Sequence, residues 1–119
     1  TVFLMSYRFE ISSYFAKETK RLSKKYPSLK HDLEKLKKSL LENPLQGTEL
    51  SPGIRKIRMA IESKGKGLSG GARVITFNIL AKEQDGEIVL LLLYDKSDAS
   101  SVKLSVVKDI IKDMGFLQP

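Results

Sequence analysis

Polar and apolar residues alternate from Ser6 to Ile11, placing Tyr7, Phe9 and Ile11 on one side, which is the period of a short strand. After Ser12 and Ser13, either able to act as an N-cap, the period lengthens. Phe15, Thr19, Leu22 and Tyr26 recur at helical spacing with lysines and Arg21 opposite, and Pro27 stops the run. Ser28 offers a second cap, and Leu29, Leu33, Leu36 and Leu40 form another amphipathic seam that ends before Pro44. With only Pro27 and Ser28 between them, the two helices are expected to form an antiparallel hairpin. The leucine seam is too short for a coiled-coil dimer and reads as core.

Leu45 to Pro52 reads as a loop. From Gly53 to Glu62 alternation returns, sending Lys56 and Arg58 to one face and Ile57, Met59 and Ile61 to the other. A glycine-rich basic turn follows, then a strand from Ala72 to Ala81. Asp85-Gly86 signals a tight hairpin into a fourth strand, Glu87 to Asp95. Its run Ile88 to Leu93 does not alternate, so the strand must be covered on both faces. The helical hairpin can cover one; the terminal helix or a partner protein covers the other. Ser97 to Ser101 is a capping cluster before a last helix with Leu104, Val107, Ile111 and Met114 on one side and Gly115 as its stop. The order β-α-α-β-β-β-α predicts one α+β domain over residues 1–119, with four strands. Met5 is read as the natural start, with Thr1 to Leu4 upstream of it.

Charge changes this picture more than composition does. The chain has 119 residues, 41% of them hydrophobic, ordinary for a globular domain, but a net charge of +7. Such a surplus favours polyanionic partners. No cysteine is present, which excludes disulfides and thiolate chemistry, and the single histidine, His31, argues against a His/Cys metal site. His31 reads as solvated surface. The longest apolar run is far short of the ~20 residues of a membrane helix, and no cofactor is expected. Gly65 to Gly71 is not a P-loop, because Gly71-Ala72 stand where Lys-Ser or Lys-Thr would be needed and a strand follows. What remains is a cluster of cations: Arg55, Lys56, Arg58, Lys64, Lys66 and Arg73, with Lys96 just past the final strand. It is either a device for gripping phosphate oxygens or a solvated basic sheet edge that deters aggregation. Arg73 shares its parity with Ile75, Phe77 and Ile79, so it sits at the sheet's end or on a covered face.

Gly53-Ile54-Arg55-Lys56-Ile57-Arg58, the Ser63-Lys64-Gly65-Lys66-Gly67 turn, Gly70-Gly71-Ala72-Arg73-Val74-Ile75 and Tyr94-Asp95-Lys96-Ser97 together resemble the RelE/ParE superfamily of bacterial toxins, in the HigB-like branch. The resemblance covers nearly all of the chain from Met5 onward. It implies a curved, mainly antiparallel sheet of the RelE-like type in a cytoplasmic bacterial protein. It further implies metal-independent mRNA cleavage, usually on the translating ribosome, that a cognate antitoxin neutralises, commonly a helix-turn-helix protein. By motif, Arg73, Arg58, Lys56 and Lys96 would carry the chemistry, and Arg55, Lys64 and Lys66 would contact RNA or the ribosome. Two positions depart from the family. Val102 stands near the place of a tyrosine that helps activate the nucleophile, and Leu68 stands where relatives commonly carry lysine. A gyrase-inhibiting ParE-like toxin and a decayed toxin that only binds its antitoxin are the alternative expectations.

Overall fold

The computed structural model describes residues 6–82 and 85–116. These residues run β1 (Ser6–Ile11), α1 (Ser13–Lys25), α2 (Leu29–Glu42), β2 (Thr48–Ser51), β3 (Ile54–Met59), a 3-10 turn (Glu62–Lys64), β4 (Ala72–Lys82), β5 (Asp85–Asp95) and α3 (Leu104–Asp113). The fold is α+β, with one mixed sheet in the order β1-β5-β4-β3-β2. β1 is parallel to β5, and the other three pairings are antiparallel. Among the described residues, no helix is long and apolar enough to cross a membrane.

Among the described residues the sheet has five strands, not four. Part of the expected loop Leu45 to Pro52 pairs with β3 through Thr48–Lys56, Glu49–Arg55 and Ser51–Ile54. Arg55 secures this edge, with Nη1 donating to the Gly47 carbonyl at 3.2 Å and Nη2 3.4 Å from Glu49 Oε2. The Asp85-Gly86 turn is also corrected. Both residues belong to β5, opposite Lys82 and Leu80, and the connection falls at 83–84, outside the described residues. Gly86 is small for a packing reason: a Cβ there would stand 2.5 Å from the Tyr7 ring. The upstream stretch Thr1 to Leu4 and Met5 likewise lie outside the described residues.

The first cap is made as expected. Ser12 Oγ accepts from the Phe15 N–H at 3.0 Å and donates to the Leu91 carbonyl at 2.6 Å, so one hydroxyl starts α1 and ties it to β5. Ser28 precedes α2, but its hydroxyl engages Asp32 and Ser63 instead of a first-turn N–H. The serines 97–101 do not cap α3; Lys103 occupies that position without a side-chain bond. Gly115, at φ 85, ends α3 while Phe116 N–H returns to the Ile111 carbonyl.

Two cores lie on the two faces of the sheet. Phe15, Leu22, Leu29, Leu33, Leu36 and Leu40 of the helical hairpin pack on Ile57, Met59, Val74, Ile88, Leu90 and Leu93. On the other face, Val107, Ile110 and Ile111 of α3 pack on Ile54, Ile75, Phe77, Val89, Leu91 and Tyr94. Each such fully buried side chain contributes roughly 2 kcal/mol of transfer free energy. The non-alternating run in β5 thus has two causes. Both faces are covered by the chain's own helices, and a bulge shifts the register so that Ile75 faces Leu92 while Thr76 faces Leu90. Leu91 is the extra residue, and both Leu91 and Leu92 join the α3 side. Tyr7 and Phe9 pack against the hairpin core, but Ile11 at the strand's end is exposed.

Candidate functional site

β3 puts Lys56 and Arg58 on the α3 side of the sheet, because Ile57 and Met59 are taken by the core under the helical hairpin. The antiparallel register sets Arg58 opposite Arg73, and Arg73 opposite Tyr94 on β5. Two like charges directly opposite one another repel. The structure relieves this by turning Arg73 inward, to 5% exposure. Its Nη1 donates to the Leu68 carbonyl at 3.0 Å and the Ala72 carbonyl at 3.1 Å, and Nη2 to the Ser69 carbonyl at 3.1 Å. Three of the five guanidinium donors are so engaged, leaving Nε–H and one Nη2–H. The loop lies this close to β3 because Gly71 has no side chain; a Cβ there would overlap the Met59 carbonyl oxygen.

Lys56 and Arg58 stand in contrast. Neither side chain has a hydrogen bond or ion pair with a described residue, and Arg58 is exposed. Lys66 is likewise exposed and unpaired among the described residues. Lys96 Nζ makes one long contact, 3.4 Å to the Ser100 carbonyl, and its backbone N–H donates to the Gly71 carbonyl at 3.0 Å, fixing it beside the exit of the glycine-rich loop. Arg55 lies on the opposite face of β3, held by Glu49.

Lys64, expected as an exposed contact, is instead part of a buried knot. Its Nζ donates to Asp95 Oδ1 at 2.6 Å and to Ser97 Oγ at 2.7 Å. Asp95 is fully buried and also accepts from Tyr26 Oη at 2.6 Å and the Ser97 N–H at 2.9 Å. Burial pushes the Asp95 carboxyl up, but the bonds from Lys64, Tyr26 and Ser97 outweigh it and hold the group at about 2. The same bond raises the Tyr26 phenol, with burial adding to it.

Two features escaped the reading of the sequence. Tyr94 is buried beside Arg73, and its Oη has no hydrogen-bond partner among the described residues; burial raises its phenol and the Arg73 charge pulls it back. The only signal was its place as the one polar-tipped residue closing an apolar run. The second is the helical hairpin, where α1 carries five basic residues and α2 four of the chain's 21, so the charge surplus extends well beyond the sheet. The lysines and Arg21 opposite the apolar stripe of α1 are legible in the sequence, but the pattern alone assigns them no role beyond a solvated face. His31 is exposed, as expected, and Val102 packs into the α3-side core.

A cleft of about 450 Å³ opens where α2, the end of β3 and the glycine-rich loop meet. Leu36, Met59 and Ile61 line it together with Asp32, Arg58 and the exposed Leu68. Arg58 therefore belongs both to the cationic face and to this cleft. No family model matches the chain, and no curated protein matches it.

Proposed function

We propose that this chain is a RelE/ParE-superfamily toxin of the HigB-like branch, which cleaves mRNA on the ribosome without a metal ion. The observation that carries the reading is a pair of cations unpaired among the described residues, Lys56 and Arg58, held two residues apart on one strand with Arg73 across from Arg58. In the reaction the ribose 2′ oxygen attacks the adjacent phosphorus, the bond to the 5′ oxygen breaks, and a 2′,3′-cyclic phosphate and a 5′ hydroxyl result. The charge that builds on the phosphoryl oxygens is met by donors already in place, which is where preorganised cations act. Arg58 and Lys56 bind those oxygens, and Arg73 adds its remaining donors while holding the loop. Lys56 and Lys96 are the groups able to move protons at the reacting oxygens.

The basic outer surface of α1 and α2 supports ribosome dependence, since it offers a second set of cations for rRNA phosphates. Lys66 adds to it from the loop. A helix-turn-helix antitoxin is the proposed partner in the bacterial cytoplasm. Because both faces of β5 are covered by the chain's own helices, it docks over the basic surface.

One observation favours a second reading: Arg73, Lys64 and Arg55 are all engaged within the fold, and Val102 supplies no proton-transfer group. That suits a ParE-like gyrase inhibitor or a decayed toxin that only binds its antitoxin. Induced expression with mapping of RNA ends separates them. The nuclease reading expects rapid mRNA loss with new 5′-hydroxyl ends, and a drop of about 100-fold in cleavage for Arg58→Ala with an unchanged melting temperature. DNA damage with intact mRNA would identify gyrase inhibition. No growth effect, with antitoxin binding retained, would identify the decayed form.

A further inference from the structure

Asp32 is 6% exposed, lies in the cleft beside Arg58, and has no cation within ion-pairing distance among the described residues. Its Oδ2 accepts from Ser28 Oγ at 2.7 Å and from the Glu62 N–H at 3.2 Å. Its Oδ1 has no hydrogen bond with a described residue. That oxygen is not sealed from solvent, and Asp32 lines the cleft, so a donor from water or from a ligand can reach it. The surroundings narrow what donor would complete it. Lys35 and Arg58 on the cleft wall balance the charges of Asp32 and Glu62, leaving no negative surplus to draw a metal cation, while Leu36, Met59 and Ile61 provide an apolar floor. The volume, about 450 Å³, suits a ligand of nucleoside size.

We infer that this cleft is a nucleobase pocket, in which Asp32 Oδ1 accepts an N–H from a base whose neighbouring phosphate lies on Arg58. This rests on the RNA-cleaving reading and deepens it, because it assigns base selectivity to a residue outside the cationic face. Adenine, cytosine and guanine each present an exocyclic amine that a carboxylate oxygen can accept. Uracil presents one N–H flanked by two carbonyl oxygens, which a carboxylate repels. The pocket therefore selects amine-bearing bases over uracil.

The test uses 2′-O-methyl tetranucleotides of each base, which bind but cannot be cut. Leu68→Trp places the chain's only tryptophan on the exposed rim of the cleft, where base binding changes its fluorescence. The amine-bearing oligomers are expected to bind roughly tenfold tighter than the uridine oligomer, the worth of one bond to a charged acceptor. In Asp32→Asn the amide oxygen can keep Ser28 and Glu62 while the amide nitrogen turns the free acceptor into a donor. The preference should then shift toward uracil. Ala60→Leu, which adds bulk to the cleft lining and leaves Asp32 in the sequence, should weaken the amine-bearing oligomers down to the level of uridine and keeps the test decisive if Asp32→Asn unfolds. Equal binding of all four oligomers by the protein carrying only Leu68→Trp, or an unchanged ranking in a folded Asp32→Asn, would overturn the pocket while leaving cleavage by Arg58 and Lys56 untouched. Selective binding without any cutting of ordinary RNA would instead retain the pocket and remove the nuclease.

Discussion

Arg58 and Arg73 are cross-strand partners in the same sheet, yet their surroundings are opposite. Arg58 stands at an open edge with no partner among the described residues; Arg73 is buried and donates to three backbone carbonyls. Residue type and register are the same, so neither decides the role. What differs is the local supply of acceptors. The glycine-rich loop turns the carbonyls of Leu68 and Ser69 toward β4, where with the Ala72 carbonyl they match the fork of one guanidinium. At the edge of β3, where pairing with β2 ends at Lys56, water meets the side chain and the cation stays available. The Asp95 knot repeats the lesson with a lysine: Lys64 sits in the basic turn but serves a buried carboxylate.

The comparison breaks or holds on how stability responds. The largest effect is expected from Asp95→Ala, which leaves the Lys64 ammonium, 11% exposed, beside Tyr26 with no countercharge. A loss of about 3–5 kcal/mol in urea unfolding is expected, as for other buried pairs broken on one side. A loss under about 1 kcal/mol, within the range of exposed pairs, would mean that the knot does not hold the strand ends together. Arg73→Ala comes next, at roughly 2–3 kcal/mol, because it removes a buried guanidinium and its three bonds to backbone carbonyls. Arg73→Lys should recover only part of this, since an ammonium cannot span the positions a planar fork reaches. If the chain cleaves RNA as proposed, Arg73→Ala lowers cleavage partly through this loss of fold, whereas Arg58→Ala does not. For Arg58→Ala and Lys56→Ala the stability change should stay within about 0.5 kcal/mol. A larger change would place them with Arg73 and dissolve the contrast.

Acid sharpens the same contrast in finer steps. The folded Asp95 carboxyl lies at about 2, below its ordinary value of 3.8. Its contribution to stability is therefore complete above about pH 4 and is lost as pH falls through about 2. Melting temperature followed across that window should fall in the wild type more steeply than in Asp95→Asn, which has no proton to take up there. Parallel curves would show that another group governs acid unfolding.

Much of the fold was legible along the chain. The helical hairpin follows from a 3.6-residue period closed by Pro27 and Pro44, and the parity of Lys56 and Arg58 from a two-residue period. Gly115 marked the end of α3. These are local signals, complete within a few residues. β2 was not legible because Thr-Glu-Leu-Ser is short, exposed at its start and stabilised by its partner instead of its own pattern. The parallel docking of β1 on β5 and the bulge at Leu91 were invisible for a related reason: each depends on which strand lies alongside.

The sequence by itself determined that a rigid β scaffold would present cations, and on which face Lys56 and Arg58 would fall. Only the tertiary structure decided which cations remain free. Lys64 meets Asp95 across 31 positions and Tyr26 meets it across 69, and Asp32 enters the cleft with Arg58 from a different element. A periodic pattern records how a segment divides between core and water. It does not record which buried acceptor, from a distant part of the chain, will be waiting for a donor.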